Sequence, residues 1–105
     1  MTEQPATLES VRTNIDALDR SIVGLIAERQ KWVVAAASFK KDADGVRAPA
    51  RVEQVIAKVR GFAAEVGASP DVVERTYQAL IAAFIDLELE SHRARQLSCS
   101  AKRRQ

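Results

Sequence analysis

Residues 8–40 read LESVRTNIDALDRSIVGLIAERQKWVVAAASFK, and this stretch decides the fold. Its apolar side chains recur at alternating steps of three and four, the spacing of a heptad seam on an α-helix. The seam consists of Leu8, Val11, Ile15, Leu18, Ile22, Leu25, Trp32, Ala36 and Phe39. No proline interrupts it, so we predict one long helix over residues 7–41.

The predicted first helix is too long to be covered by its own chain. At about 1.5 Å per residue it measures about 50 Å, which exceeds the diameter of a globule of 105 residues. A domain of this size that folds alone also leaves much of its apolar surface at the boundary with water. We therefore expect the helix to pair with a second copy of the chain.

The next segment predicts a loop followed by a second helix. Residues 42–48 have no apolar period and contain two aspartates and a glycine, which is typical of a loop. Pro49 suits the first turn of a helix, and Gly67 suits the C-terminal cap of the same helix. An apolar face at helical spacing lies between them, so we predict the second helix over residues 49–66.

A third helix completes the predicted fold, which is all-α with three helices per chain. Ser69, Pro70 and Asp71 have the form of an N-cap, a first helical position and an acidic first turn. The apolar period that follows predicts a helix over residues 70–96. The expected organisation is a flexible N-terminus over residues 1–6, a single helical domain over residues 7–96 and a flexible basic tail over residues 97–105.

The charge of the chain does not indicate a nucleic-acid-binding surface. The chain has 16 Lys and Arg residues and 14 Asp and Glu residues, which gives a net charge of +2. Lys102, Arg103 and Arg104 lie in the tail, and without them the counts are 13 basic and 14 acidic. We therefore expect no nucleic-acid partner, and a solvated tail.

The composition also predicts a cytoplasmic protein without a membrane partner. Cys99 is the only cysteine, so the chain has neither an intramolecular disulfide nor a thiolate metal cluster. Residues 1–6 do not resemble a signal peptide, and no apolar run approaches the ~18 residues of a membrane span.

Two cations stand out on the first predicted helix. Arg29 occupies a seam position where an apolar side chain is expected, and burial of an unpaired charge costs several kcal/mol. Lys40 lies eleven residues further on, which on a continuous helix is the same face. The two cations could bind one elongated anion. Alternatively, Arg29 forms a buried ion pair or sets the register of a dimer seam, and Lys40 is solvated.

Glu88 is the corresponding anomaly of the third predicted helix. The stripe that includes Tyr77 and Phe84 predicts an apolar residue at position 88. A carboxyl group in apolar surroundings favours its neutral form and can donate a hydrogen bond. Alternatively, this part of the helix emerges into solvent, where Glu90 and His92 lie.

Taken together, these residues predict a cofactor-free and metal-free site for a small dianion between helices. The sequence has no nucleophile with an adjacent base, no metal-ligand spacing and no glycine-rich phosphate loop. An enzyme with this site would depend on electrostatics and orientation. A hypothesis of another class is a non-catalytic helical dimerisation module, which leaves Arg29 unexplained.

Several segments of the chain resemble the AroQ-class chorismate mutase family, including the related isochorismate-pyruvate lyases. The resemblance rests on VRTNIDALD at residues 11–19, LIAER at residues 25–29, Lys40 and Arg51. It implies an intertwined helical homodimer that rearranges chorismate to prephenate without a cofactor. This is a step of the shikimate pathway, in aromatic amino acid biosynthesis.

The resemblance also implies roles for five residues. Arg29 would bind a substrate carboxylate in its own site, and Arg12 would reach into the site of the partner chain. Lys40 and Glu88 would flank the ether oxygen, which gains negative charge as the C–O bond breaks. Arg51 would support the site. Protonated Glu88 would donate to this oxygen, so activity should fall as rising pH ionises Glu88.

Three departures from the mutase pattern leave an alternative reaction open. Ala48 and Val52 stand where the common pattern has an aspartate and a glutamate that help to hold the substrate hydroxyl group. Glu88 stands where many bacterial members have glutamine. Residues 38–40 and 48–52 look closer to isochorismate-pyruvate lyases, which would release salicylate and pyruvate from isochorismate. We expect the mutase, with the lyase as the alternative.

Overall fold

The computed structural model describes the backbone of residues 7–104 and the side chains of residues 7–97. Four helices follow one another: α1 (Leu8–Ala37), α2 (Ala43–Arg47), α3 (Pro49–Val66) and α4 (Pro70–Arg104). No strand occurs in this part of the chain. The prediction of an all-α fold with three helices and a long first helix is therefore confirmed by α1, α3 and α4. The predicted flexible segment 1–6 lies outside the described residues.

The chain divides into two compact units, Met1–Trp32 and Val33–Gln105. The described part of the first unit consists of α1 up to Trp32, and all of its residues except Ile26 and Arg29 are exposed. The large apolar seam residues of this unit are exposed as well, from 36% at Val11 to 74% at Trp32. Trp32, a member of the predicted seam, is therefore exposed in the single chain.

The second unit has its core between α3 and α4, which pack against each other. The buried apolar side chains of this unit are Ala37, Val46, Val59, Ala63, Ile81 and Phe84. Gly67 ends α3 with a positive φ of 77°, and its N–H donates to the carbonyl of Ala63. The Ser69 Oγ accepts from the N–H of Val72 at 3.3 Å, as predicted for an N-cap. The predicted bounds of α3 and the predicted start of α4 are confirmed.

The prediction that the first helix reaches residue 41 is wrong, because α1 ends at Ala37. The backbone N–H groups of residues 38–40 donate to carbonyls three residues back, which tightens the last turn. The Ser38 hydroxyl also donates to the carbonyl of Ala35 at 2.7 Å. The Phe39 side chain, the last of the predicted seam, is 86% exposed.

The predicted loop at residues 42–48 contains the short helix α2. Asp42 has an extended backbone and caps this helix by accepting from the Gly45 N–H at 2.9 Å. Val46 is 3% exposed, and α2 packs against α4. Ala48 then separates α2 from α3 in the left-handed conformation, with φ 34°. The helix has five residues, too few to show an apolar period, and only this packing reveals it.

Helix α4 continues to Arg104, through the segment in which the sequence predicts a frayed tail. The side chains of residues 98–105, which include Cys99 and the three cations of the tail, lie outside the described residues. Although α1 and α4 are long, no described helix has a stretch apolar enough to cross a membrane.

Candidate active site

The second unit contains an ion pair between Lys40 and Glu88. The Lys40 Nζ donates to the Glu88 Oε2 at 2.8 Å, across 48 positions of sequence. The Lys40 side chain is 25% exposed and the Glu88 side chain 6%. The fold thus brings together two residues that stand out separately in the sequence pattern and that the family resemblance places at one ether oxygen.

Glu88 is buried, as its place in an apolar stripe of α4 predicts. It is the one charged or polar residue among the described side chains that is buried, at 5% exposure. Phe84, one turn earlier on α4, is buried too. The alternative that α4 emerges into solvent at this position is therefore wrong. A carboxyl group at this depth needs a partner, and Lys40 supplies it.

Lys40 reaches Glu88 from a non-helical segment. We expected Lys40 on the same helix face as Arg29, but α1 ends at Ala37 and the helical count does not extend to Lys40. Lys40 lies between the end of α1 and Asp42, the cap of α2. The position of its side chain therefore depends on this connection and not on the register of α1.

Arg51 lies in the first turn of α3, in the same unit as the ion pair. Its side chain is exposed, and its Nη1 donates to the Gln54 Oε1 at 2.7 Å. This hydrogen bond holds the guanidinium group along α3. The assignment of Arg51 to the site stays a prediction.

Arg12 and Arg29 belong to the first unit. Both lie on α1, where Arg12 is exposed and Arg29 is half-buried. Arg29 is half-buried although its seam neighbours Leu25 and Trp32 are exposed. Whether the two guanidinium groups share a ligand with Lys40 stays a prediction.

Sequence reasoning missed the residues next to Lys40. A methyl group on Gly45 would stand 3.6 Å from the Lys40 Cβ and 3.5 Å from the Asp42 Oδ1. The stem of Lys40 thus lies close to α2. An aspartate three residues before Gly45 is a recognisable N-cap signal, but without an apolar period it also fits a loop.

The Lys40 and Glu88 pair can stabilise negative charge on a ligand oxygen. An ammonium group has three N–H donors, and the bond to Glu88 uses one of them. The Glu88 Oε2 accepts this bond, so a proton on Glu88 would be carried by Oε1. No three His, Cys, Asp or Glu side chains of the described part of the chain form a group that could hold a metal ion.

Comparison with protein families identifies the class of this chain. Residues 11–89, about three quarters of the chain, match the model of the family chorismate mutase type II. The chain therefore belongs to the chorismate mutase type II family, which is the AroQ class. Membership supports an enzyme of the chorismate mutase type that binds a chorismate-type substrate. A comparison with curated proteins found no match.

Proposed function

We propose that this protein is a chorismate mutase that rearranges chorismate to prephenate in aromatic amino acid biosynthesis. The observation that carries the proposal is the buried pair of Lys40 and Glu88, in a chain that matches the family over residues 11–89. The lone Cys99 supports a cytoplasmic location, because it allows no intramolecular disulfide.

The arginines would bind and orient the substrate. Chorismate carries two carboxylates, and a guanidinium group binds a carboxylate with two parallel hydrogen bonds. We assign one carboxylate to Arg29 of the same chain and the other to Arg12 of a second copy, with Arg51 in support. Held in this way, the substrate keeps its diaxial conformer, in which the reacting carbons lie close together.

Lys40 and Glu88 would act on the bond that breaks. In the [3,3]-sigmatropic shift the ether C–O bond breaks as a C–C bond forms, and no proton or electron is exchanged with the protein. The ether oxygen gains negative charge, which an N–H of Lys40 and a proton on Glu88 Oε1 would stabilise.

The homodimer is part of the proposal because a single chain leaves the seam of α1 open. The exposed fractions of Leu18, Leu25 and Trp32 are 62%, 66% and 74%. A soluble monomer rarely exposes a long continuous apolar stripe. Pairing of two α1 helices would cover the stripe and bring Arg12 of one chain to the site of the other.

One observation favours isochorismate-pyruvate lyase as the second candidate. Val52 is half-buried on α3, and neither Val52 nor Ala48 offers a polar side-chain atom to a substrate hydroxyl group. The lyase reaction breaks the same kind of C–O bond, and a hydrogen is transferred as pyruvate leaves. The same cations would serve it, because charge develops on the same oxygen.

The decisive experiment offers chorismate and isochorismate separately to the purified protein and identifies the products. Prephenate formed efficiently from chorismate supports the mutase. Salicylate and pyruvate formed efficiently from isochorismate identify the lyase instead. Turnover of neither substrate would contradict both and favour the dimerisation module.

The substitution Arg29→Leu separates enzyme from dimerisation module. An enzyme should lose activity and stay folded, whereas a simple helical seam should become more stable or stay unchanged. Arg20→Leu is the matched control, because it removes an exposed arginine from the same helix. We expect this control to retain turnover.

A further inference from the structure

The carboxylate of Asp42 organises the connection that carries Lys40. Its Oδ1 accepts from the Gly45 N–H at 2.9 Å, and its carbonyl accepts from the Val46 N–H at 3.2 Å. These two bonds close the first turn of α2 and satisfy N–H groups that the helix itself leaves open. Asp42 is exposed, so no packing of its own fixes this turn.

Helix α2 connects this turn to the helix that carries Glu88. Val46 is 3% exposed and α2 packs against α4, so contacts with α4 hold one side of the short helix in place. On its near side, Gly45 lies close enough to Lys40 for an added methyl group to stand 3.6 Å from Cβ and 3.9 Å from Cγ. The Lys40 stem thus lies beside α2, and its ammonium group reaches Glu88.

We propose that Asp42 is a positioning residue for Lys40, an inference that rests on the function proposed above. Asp42 would act indirectly, through the N-cap of α2. The Lys40 Nζ itself is bonded to Glu88. A helix of five residues has little stability of its own, so loss of the cap should let α2 and the Lys40 stem move together. The ammonium group would then leave the position at which it meets both Glu88 and the developing charge.

The roles proposed for the arginines and for Lys40 predict which kinetic constant a change at Asp42 should affect. The arginines bind the substrate carboxylates in the ground state, whereas Lys40 acts mainly on charge that develops in the transition state. A displaced Lys40 should therefore lower kcat more than it changes KM. Misplacement of a catalytic group by about 1 Å can cost about 100-fold in rate.

The experiment compares Asp42→Ala, Asp42→Asn and Ser69→Ala in the full-length protein. Asn is an N-cap residue as good as Asp, so Asp42→Asn keeps the hydrogen bond and removes only the charge. Ser69→Ala removes the equivalent cap of α4, whose Oγ accepts from Val72 at the other end of that helix. It therefore controls for a general loss of stability.

We expect Asp42→Ala to lower kcat about 10- to 100-fold with a small change in KM. Asp42→Asn should recover most of this loss, and Ser69→Ala should keep wild-type kcat with a comparable decrease in Tm. Equal losses in Asp42→Ala and Asp42→Asn would assign the effect to charge and overturn the proposal. Wild-type kcat in Asp42→Ala would overturn it as well.

A second measurement needs no substrate, so it separates this inference from the proposed function. A double-mutant cycle of Lys40→Met and Glu88→Gln in urea unfolding measures the coupling of the ion pair. The coupling should fall toward zero in an Asp42→Ala background and persist in Asp42→Asn and Ser69→Ala backgrounds. A coupling unchanged by Asp42→Ala would overturn the inference, even if the protein turns over chorismate. Loss of coupling without any turnover would leave Asp42 as the support of Lys40 and contradict the proposed function alone.

Discussion

Glu88 is the buried acidic residue of the proposed active site. It is 5% exposed and bonded to Lys40. Its place on an apolar stripe is visible in the sequence because Phe84 precedes it by one turn. Its partner is not visible, because Lys40 comes from 48 positions away and from a segment without helical register.

The pH dependence of activity tests the role of Glu88. If a protonated Glu88 donates to the ether oxygen, kcat should fall as rising pH ionises this group. Glu88→Gln donates at every pH, so its kcat profile should be flat over the same range. The measurement is kcat against pH for wild type, Glu88→Gln and the control Asp86→Asn, which changes an exposed carboxylate of α4. If kcat of Glu88→Gln fell with pH as steeply as kcat of the wild type, Glu88 would not be the proton donor.

Among the residues that the structure describes, Ala48 is the non-glycine residue with a positive φ. Its φ of 34° lies in the left-handed region, which costs an L-residue with a Cβ about 1–2 kcal/mol. Glycine adopts this region freely but loses more entropy on folding, by about 0.4–1 kcal/mol. We therefore expect Ala48→Gly to raise the free energy of unfolding by about 0.5–1 kcal/mol in urea titrations.

Ala50→Gly is the matched control for this prediction. Ala50 lies two residues further on, in the first turn of α3, where the backbone is helical. Glycine there should lower the free energy of unfolding by about 0.5–1 kcal/mol. The opposite signs would identify the φ angle of Ala48 as the cause, and a destabilising Ala48→Gly would show that the residue is not strained.

At the scale of elements, the sequence is most informative where a local signal and a long apolar period agree. Helix α3 begins at Pro49 and ends before Gly67 because both residues have fixed conformational preferences. The end of α1 was predicted four residues too late, because residues 38–41 contain no proline or glycine that would stop a helix. Beyond Ala37 the chain instead makes bonds to carbonyls three residues back over residues 38–40, and Asp42 is extended and caps α2.

Arg60 joins α3 to the start of α4. Its Nη1 lies 3.1 Å from the Asp71 Oδ1 and 3.2 Å from the Glu74 Oε1. The hydrogen bond that Arg60 donates to the Asp71 carboxylate raises the pKa of Arg60 from its ordinary value, and desolvation partly offsets this rise. A raised pKa contributes stability that is fully present below the pKa of the unfolded chain and is lost as the pH rises through the higher folded pKa. The contribution of Arg60 ionisation should therefore be constant through neutral and moderately alkaline pH.

Arg60→Met should lower Tm slightly at low salt, because exposed ion pairs contribute little. The difference in Tm from wild type should shrink in about 1 M NaCl, because the screening length there is about 3 Å. Thermal unfolding followed by circular dichroism measures both effects. Arg75→Met, at an exposed arginine of α4, provides the control for a change in net charge. A salt-independent loss of Tm would mean that Arg60 contributes through its aliphatic stem and not through its ion pairs.

At the scale of the whole molecule, the proposed homodimer makes a prediction about Trp32, the only tryptophan of the chain. Its side chain is 74% exposed in one chain, and pairing of α1 helices should bury it. Dilution should then shift its fluorescence emission to the red as the dimer dissociates. Sedimentation velocity over the same concentrations should show a species of twice 11.5 kDa giving way to the monomer. A monomer mass at every concentration, with red-shifted emission throughout, would contradict the dimer.

The sequence by itself determined the helical class, the bounds of α3, the start of α4 and the two charges that do not fit their apolar stripes. These features follow from local preferences and from the 3.6-residue period, which a single segment contains in full. Only the tertiary structure decided that α2 exists, that Lys40 leaves α1 and that its ammonium group meets Glu88. The physical reason is that α2 and the ion pair are stabilised by α4, through contacts between positions far apart in sequence.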